Sequence, residues 1–223
     1  MFSKEEVISS LTTPRQALLN PARWNQFLSM GLPIKDKTIF EPGAGIGDQT
    51  DWLLKQGVKH VTVHDGRPES LKVIQDRFGS DPRLSYVCGN LENGLTEAQF
   101  NFTVDFIYCY GVYYHLNESM QNWNIMKGLA KMGPTMAFDY LESHRGDDYT
   151  YSYGYEVPST SMSRFALRPT RATLIKAVRD IWGFAYLPKN QLQWNDPYDG
   201  TERRFVMVAS HVPLDGANLE LQT

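Results

Sequence analysis

The chain has few cysteines and no long apolar run. Its two cysteines, Cys88 and Cys109, both lie in apolar, strand-like stretches, so we expect buried thiols and a reducing, cytoplasmic location. No stretch approaches the roughly 18 apolar residues that a membrane-spanning helix needs. The first residues mix Lys4, Glu5 and Glu6 with few apolar side chains, which predicts neither a signal peptide nor a membrane anchor.

The chain also lacks an excess of charge of either sign. Lysine and arginine number 22, aspartate and glutamate number 25, and the formal net charge is −3. Such a balance creates no overall field that would gather nucleic acid or an anionic membrane. We therefore expect a small-molecule substrate, no nucleic-acid or membrane partner, and a monomer or homodimer. A chain of 223 residues with 42% hydrophobic content is long enough for one large α/β domain.

The most informative segment is a glycine-rich loop, Glu41-Pro42-Gly43-Ala44-Gly45-Ile46-Gly47, directly after the strand-like run Lys37–Phe40. Alternating glycines let the backbone turn sharply into a helix and let a ligand approach where side chains would collide. An ordinary tight turn is the alternative interpretation. The spacing differs from the GxGxxG of dinucleotide enzymes, and Glu41 would repel a pyrophosphate but attract an ammonium group. These features favour a cationic cofactor that contains adenosine and disfavour a nicotinamide-dependent oxidoreductase.

A second acidic position follows at the expected distance. The β-rich run Val58–His64 ends at Asp65, about 20 residues past the loop. At this distance a βαβ unit presents an acid to ribose hydroxyls. We therefore predict that Asp65 is the ribose ligand.

These segments resemble the first two motifs of the class I S-adenosylmethionine-dependent methyltransferases, which are E/D-x-G-x-G-x-G and an acid that ends the next strand. Tyr86–Glu92 resembles the third motif of that family, and Val104–Leu116 resembles the fourth. The resemblance covers residues 36–141. It implies a Rossmann-like α/β fold, a three-layer sandwich around a mostly parallel seven-stranded sheet with a reversed last strand. It also implies S-adenosyl-L-methionine as cofactor and S-adenosyl-L-homocysteine as product.

The resemblance further implies where the cofactor binds. Glu41 would anchor the ammonium group directly or through water, the glycine loop would give backbone access, and Asp65 would hold the ribose. Asn90, in place of the commoner aspartate, would meet the adenine amine, and the next backbone amide would meet the ring. The predicted cofactor-binding residues are Glu41, Gly43, Ala44, Gly45, Asp65, Gly66, Asn90, Leu91 and Tyr110.

Catalytic candidates come from the end of the fourth motif. His115 is the predicted general base, because imidazole titrates near neutral pH and this strand end should open toward the methyl group. The alternative is that His115 caps the following helix or packs beneath the cofactor. Tyr114 is the second catalytic candidate. The predicted substrate-binding residues are Tyr113, Tyr151, Tyr153 and Arg168.

The chain is predicted to form a single domain with four parts. They are an N-terminal helical cap over 1–35, the cofactor-binding core over 36–141, a substrate loop or lid over 142–168, and a C-terminal helix with closing strands over 169–212. The loop could instead be a surface insertion that makes packing or dimer contacts. Within it, His144, Asp147 and Asp148 lack diagnostic spacing, so we predict no metal site.

Several element boundaries are also predicted. Helices are expected over Lys4–Leu11 and Pro14–Phe27, with Pro21 as a possible interruption. Asn117 is the expected N-cap of a helix over Glu118–Met132. The tail from Pro213 is expected to fray.

The predicted function is a methyltransferase that transfers a methyl group from S-adenosylmethionine to an oxygen or nitrogen nucleophile of a small molecule by in-line displacement. One alternative is a tRNA-modifying methyltransferase, in which loop tyrosines stack on bases and arginines contact the backbone. The arginines in question are Arg164, Arg168, Arg171 and Arg179. A second alternative is a noncatalytic S-adenosylmethionine-binding subunit, because fold does not dictate activity.

Overall fold

Helices and strands alternate along the chain in a computed structural model that describes residues 3–93, 95, 100–117, 123–143, 151–155, 165–191, 204–215 and 218–223. The helices are α1 (Lys4–Leu11), α2 (Pro14–Ser29), α3 (Asp48–Lys55), α4 (Pro68–Phe78), α5 (Asn124–Met132) and α6 (Arg171–Trp182). The strands are β1 (Thr38–Glu41), β2 (His60–Asp65), β3 (Leu84–Cys88), β4 (Phe106–Cys109), β5 (Thr135–Leu141), β6 (Tyr151–Tyr155), β7 (Phe165–Pro169), β8 (Phe184–Pro188), β9 (Arg204–Ser210) and β10 (Leu219–Leu221). Short 3₁₀ turns cover Leu91–Asn93 and Tyr113–His115.

One large sheet organises the protein, in the order β10-β8-β9-β5-β4-β1-β2-β3. Strands β1 to β5 pair in parallel, whereas β9 is antiparallel to both β5 and β8. Apolar clusters cover the two faces of the sheet: Phe27 and Trp52 belong to one, and Leu129 and Trp182 to the other. This arrangement confirms the Rossmann-like fold with a reversed late strand. The strand order changes direction between β1 and β4, which is where open α/β sheets form a ligand cleft at the carboxyl ends of the strands.

The tail is ordered rather than frayed, and it adds an eighth strand to the sheet. Strand β10 pairs antiparallel with β8, and the Asn218 N–H donates to the Met30 carbonyl at 2.9 Å. The prediction of seven strands and a loose tail was therefore wrong at this edge. The stabilising partners of β10 lie far away in the chain, so the polar local sequence carried no signal for the strand.

A two-stranded ribbon replaces part of the predicted long loop. Strands β6 and β7 pair antiparallel, from Tyr151 opposite Pro169 to Tyr155 opposite Phe165. Tyrosines at every second position, 151, 153 and 155, are the period-2 signal of a strand. The prediction gave more weight to the surrounding glycines and serines. Residues 144–150 and 156–164 lie outside the described part of the chain.

Two other boundaries differ from the predictions. Helix α5 begins at Asn124, with Trp123 in a left-handed conformation before it, so Asn117 is not its N-cap. Helix α2 continues through Pro21, although an interior proline costs about 3 kcal/mol through its missing N–H and its ring. The buried residues that follow Pro21 in α2, Arg23, Gln26 and Phe27, explain why the helix persists.

The two cysteines have different environments. Cys109, on the central strand β4, is buried as predicted. Cys88 ends β3 at the edge of the sheet and is exposed, so its predicted burial was wrong. An edge strand has no neighbour on one side, and the apolar residues of β3 are only half-buried.

Helix α2 is an integral part of the core. The Phe27 ring is 1% exposed and makes edge-on contacts with Trp52, Tyr108 and Tyr110 at centroid distances of 5.6, 5.2 and 6.1 Å. Such a helix is not free to detach as a lid. None of the described helices is both long enough and apolar enough to cross a membrane.

The packing of α2 predicts a large stability loss for Phe27→Ala. Removal of a fully buried phenylalanine should lower the free energy of unfolding by about 3–5 kcal/mol, measured by urea denaturation. The adjacent Leu28→Ala is the matched control, because Leu28 is 52% exposed and its truncation should change stability by less than about 0.5 kcal/mol. Equal effects of the two substitutions would show that α2 is not docked as described.

Candidate functional site

A cavity opens at the carboxyl ends of β1 to β4, at the switch point of the sheet. Helices α1 and α2 contribute Leu11, Gln16 and Arg23 from above. The remaining lining residues come from the loops that follow the strands: Gly43, Gly45, His64, Asp65, Gly66, Arg67, Ser70, Gly89, Asn90, Leu91, Glu92, Gly111, Val112, Tyr114, His115 and Leu116.

The glycine loop has a backbone that requires glycine. Gly43 and Gly45 have positive φ angles of 65° and 61°. A Cβ atom on Gly43 would lie 2.0 Å from the Cγ2 atom of Val112, which is closer than any real contact. The loop therefore passes directly under the turn after β4, and only glycine allows the backbone to come so close.

Asp65 holds the loop as well as facing the cavity. Its Oδ2 atom accepts the Gly45 N–H at 2.9 Å, and its Oδ1 atom accepts the Arg67 N–H at 2.9 Å. Burial raises the pKa of Asp65, and these two backbone bonds oppose the rise. A carboxylate has about four acceptor positions, so Asp65 keeps the capacity to accept from a ligand hydroxyl.

His64 is a site residue that the sequence interpretation missed. Its Nδ1 atom accepts the Gly43 N–H at 3.3 Å, and its Nε2 atom lies 2.7 Å from the Gly89 carbonyl oxygen. These partners require a neutral ring with its proton on Nε2. Burial lowers the pKa of His64 to about 4, against the effect of the Gly89 bond. The ring thus ties the glycine loop to the loop after β3. Its position directly before Asp65, at the carboxyl end of β2, was the available signal.

Glu41 lies behind the glycine loop and does not line the cavity. It is 2% exposed, and its Oε2 atom accepts the Thr50 hydroxyl at 2.7 Å. Its Oε1 atom is buried without a hydrogen-bond partner among the described residues. Burial is the main cause that raises the pKa of Glu41 to about 8, so the side chain is protonated at neutral pH.

Asn90 lies in the cavity wall after β3. Its Oδ1 atom accepts the Glu92 N–H at 3.0 Å and opens the 3₁₀ turn over Leu91–Asn93. The amide group of the same side chain supplies two N–H donors to this wall. Gly66, Asn90 and Leu91 are therefore brought together with Asp65.

Other predicted residues point elsewhere. Tyr110 is buried against α2, where its hydroxyl donates to the Gln26 Oε1 atom at 2.9 Å. Tyr113 packs on Phe138 in the core, with ring centroids 5.0 Å apart. Ala44 is buried, and its N–H donates to the His64 carbonyl at 2.8 Å.

The predicted catalytic pair lies together at the end of β4. Tyr114 and His115 both line the cavity, with ring centroids 4.3 Å apart. The His115 N–H donates to the Val112 carbonyl at 2.8 Å and closes the turn. Strand β7 packs against this turn, so the ribbon that carries the predicted Arg168 borders it.

The predicted residues of the ribbon are placed through their backbone. Arg168 pairs with Ser152 across the ribbon and is not among the cavity-lining residues. Tyr151 and Tyr153 lie on β6, and their side chains are outside the described part of the chain. His144, Asp147 and Asp148 fall within residues 144–150, which are also outside it. Among the described residues, no three His, Cys, Asp or Glu side chains are grouped so that they could hold a metal ion.

Comparisons with known proteins agree with the geometry. Residues 40–138 match the family model described as a methyltransferase domain. In sequence, the chain matches no curated protein at a significant level.

Solved structures share the fold at low sequence identity. The N-terminal domain of EvdMO1, in the presence of SAH and D-fucose, has a TM-score of 0.65 and 18% identity, over 86% of this chain and 81% of that one. DhpI in complex with SAH has a TM-score of 0.62 and 14% identity, over 92% and 91%. The N-methyltransferase NodS from Bradyrhizobium japonicum, in complex with SAH, has a TM-score of 0.57 and 15% identity, over 88% and 87%.

The neutral His64 ring predicts an acid-dependent loss of stability. The pKa of His64 is about 4 in the folded protein against an ordinary value of 6.5. The unfolded chain therefore takes up a proton first, and stability falls as the pH drops from 6.5 to 4, by up to about 3 kcal/mol. His64→Gln should remove this component from urea-denaturation curves recorded across that range.

The matched control is His60→Gln, at the opposite end of β2. This variant should still lose stability as the pH drops. Glu41 contributes a pH dependence of opposite sign, because its pKa is raised. The difference between variant and wild type cancels that contribution. If the stability of the wild type and of His64→Gln depended on pH in the same way, a neutral His64 ring with two hydrogen bonds would be contradicted.

Proposed function

We propose that the chain, of which residues 40–138 match the model of a methyltransferase domain, binds S-adenosyl-L-methionine in this cavity and methylates a small molecule. The acceptor atom is an oxygen or nitrogen nucleophile, which attacks the methyl carbon in line with the sulfur that leaves. Bound there, the cofactor would supply a methyl group already activated by its sulfonium. The residues of the chain must therefore position both molecules, exclude water and accept a proton.

The observation that carries this proposal is the order of polar groups along the cavity. Among the lining residues, Asn90 follows β3, Asp65 ends β2, Gly43 and Gly45 follow β1, and His115 follows β4, and these strands are neighbours in the order β3-β2-β1-β4. This order suits a ligand with an adenine, a ribose and an amino-acid end. Gly43 and Gly45 both line the cavity, and without side chains they let a ligand approach the loop backbone closely.

Asp65 and Asn90 are the groups proposed to hold the adenosine. Asp65 keeps acceptor capacity beyond its bonds to Gly45 and Arg67, and ribose hydroxyls can donate to it. The amide of Asn90 and the backbone of Leu91 would contact the adenine. Because Asp65 also fixes the loop, its removal should damage both loop geometry and ribose binding.

Glu41 is proposed to balance the ammonium of the amino-acid end. Its unpartnered Oε1 atom is buried behind the loop, and a nearby cation would favour the ionised carboxylate. Contact would run past the glycines, directly or through water. A protonated Glu41 that ionises on binding must release its proton.

This role predicts proton release when S-adenosylhomocysteine binds. At pH 7 close to one proton should leave the protein, because the pKa of Glu41 falls from about 8 when a cation is bound. Calorimetric titrations in buffers of different ionisation enthalpy measure that number. Glu41→Gln should abolish the release and weaken binding tenfold or more, about 1.4 kcal/mol.

Glu92→Gln is the matched control, since Glu92 lines the same cavity but lies after β3. Its proton release should equal that of the wild type. Tight binding by the wild type with no proton exchange would contradict the role of Glu41. No binding in a folded sample would contradict the proposed cofactor.

His115 is the proposed proton acceptor, with Tyr114 beside it. Both face the cavity at the end of β4, next to the turn bordered by β7. A neutral imidazole can accept the proton of a hydroxyl as the methyl group transfers, or the proton of an ammonium group before its nitrogen attacks.

This role predicts a selective loss of turnover in His115→Gln. Methyl transfer should fall about 100-fold, in the range of general-base catalysis, while the dissociation constant for S-adenosylhomocysteine changes little. Single-turnover rates with a radiolabelled methyl donor, recorded across pH, provide the measurement once an acceptor is in hand. Full turnover at every pH would show that His115 is not the base.

A further inference from the structure

A buried ionic cluster of Asp139, Arg23 and Arg204 lies beneath the turn after β4. Asp139 on β5 is 0% exposed, and its Oδ1 atom accepts the Gly111 N–H of that turn at 2.6 Å. Its Oδ2 atom accepts bonds from the Arg23 Nε atom at 3.0 Å and from the Arg204 Nη1 atom at 3.1 Å. One carboxylate therefore ties α2, β5, β9 and the turn after β4 together.

The side chains of the cluster keep one another charged. Burial alone would raise the pKa of Asp139, but the charges of Arg23 and Arg204 lower it. Burial alone would lower the pKa of Arg23, but the attraction of Asp139 helps to raise it. Each guanidinium group is therefore oriented by a charge-assisted hydrogen bond to the same carboxylate oxygen.

Both arginines reach from Asp139 to Tyr114. The Arg23 Nη2 atom donates to the Tyr114 hydroxyl at 3.1 Å. The Arg204 guanidinium lies over the Tyr114 ring, 4.3 Å from its centroid, which is the geometry of a cation–π contact. The ring is 6% exposed and lines the cavity. One arginine thus fixes the hydroxyl end of this side chain, and the other fixes the face of its ring.

The backbone before Tyr114 is fixed by the same carboxylate. Gly111 has a φ of 85°, in the left-handed region that favours glycine. A Cβ atom on it would lie 3.3 Å from both Nη atoms of Arg23. The glycine therefore lets Arg23 lie against the turn while Asp139 accepts the Gly111 N–H. Tyr114 follows in the 3₁₀ turn over Tyr113–His115.

These contacts determine what Tyr114 can offer to a ligand. Arg23 has donors only, so the Tyr114 hydroxyl oxygen accepts from it and its own hydrogen remains to be donated. The ring of His115, the proposed proton acceptor, lies beside it, with ring centroids 4.3 Å apart. The cavity wall thus presents a fixed hydrogen-bond donor next to an acceptor.

We propose that Asp139 is a positioning residue for methyl transfer, which acts through Arg23 and Arg204 to hold Tyr114 as a fixed donor beside His115. Asp139 is not among the cavity-lining residues of the described chain, so it acts only through these neighbours. The inference rests on the proposed function for the reaction that Tyr114 serves. The fixed orientation of the ring is measurable without cofactor or acceptor.

The first test measures how fast the Tyr114 ring flips, by NMR of protein labelled with ¹³C at the tyrosine ε carbons. A ring in one fixed orientation gives two ε signals, and a rapidly flipping ring gives one averaged signal. Loss of signals in Tyr114→Phe identifies those of Tyr114. We expect two signals in the wild type and one in Arg204→Lys, because an ammonium group cannot stack on the ring as a planar guanidinium does.

Asp139→Asn should also give one averaged Tyr114 signal, because it removes the charge that orients both arginines. Near-ultraviolet circular dichroism checks the folding of each variant. Arg204→Lys keeps a positive charge beside Asp139, so the test remains decisive if Asp139→Asn does not fold.

Arg171→Lys is the matched control. Arg171 lies over the Phe205 ring, 3.5 Å from its centroid, and its Nε atom lies 3.5 Å from the Glu142 Oε1 atom. It thus makes the same kind of contact, a guanidinium between a ring and a carboxylate, but it does not line the cavity. Arg171→Lys should leave the two Tyr114 signals of the wild type unchanged.

The second test separates positioning from a purely structural role. In the single-turnover assay with a radiolabelled methyl donor, Arg204→Lys should transfer methyl about tenfold more slowly, because a donor that moves no longer holds the reacting groups in line. Its dissociation constant for S-adenosylhomocysteine should stay within about twofold of the wild type, since Arg204 does not line the cavity. Arg171→Lys should match the wild type in both measurements.

Three outcomes overturn the inference. They are a single averaged Tyr114 signal in the wild type, two separate signals in folded Arg204→Lys, and wild-type transfer rates in Arg204→Lys. Failure of the wild type to bind S-adenosylhomocysteine would instead overturn the proposed function, and two Tyr114 signals in that same protein would still support the fixed ring.

Discussion

The site depends on the attachment of the glycine loop to the end of β2. Three hydrogen bonds make this attachment: the Ala44 N–H to the His64 carbonyl, the Gly43 N–H to the His64 ring, and the Gly45 N–H to the Asp65 carboxylate. They hold a backbone with positive φ angles in the single path that passes under Val112. Without them the loop would have no fixed shape, and neither the cofactor cleft nor the entry into α3 would be defined.

The sheet brings the second half of the site against this loop. Because β1 and β4 are neighbours, the turn that carries Tyr114 and His115 lies directly beside the glycines. Helix α2 closes the space from above and brings Arg23 to the wall through its contact with Asp139. Burial makes Glu41 and His64 neutral near pH 7, whereas their mutual attraction keeps Arg23 and Asp139 charged. A buried acid that can ionise therefore lies behind the glycine loop, and a buried ion pair lies at the cavity wall.

Patterns within short segments of the sequence predicted the features that depend on those segments alone. The glycine spacing, the acid at the end of β2 and the alternation of strands with helices predicted the fold and several of the residues that line the cavity. The ribbon of β6 and β7 was missed because glycines and serines obscured a clear period-2 tyrosine pattern. Strand β10 was missed because its partner, β8, is not its neighbour in sequence.

The residues that sequence reasoning missed are those whose roles arise from distant contacts. Arg23 and Asp139 are 116 positions apart, and nothing in the sequence near Arg23 marks it as a buried ion-pair partner. His64 was read as part of a β-rich run because its two partners lie in the loops after β1 and β3. Tyr110 was placed in the site from its motif, but the docking of α2 provides it with Gln26 as a partner instead.

The most direct test of this account is a crystal structure of the protein with S-adenosylhomocysteine. The account predicts the adenosine between Asp65 and Asn90, the amino-acid end past Gly43 toward Gly111, and the sulfur facing His115. A ligand bound in the reverse direction, or bound outside the cavity between the glycine loop and the turn after β4, would contradict it.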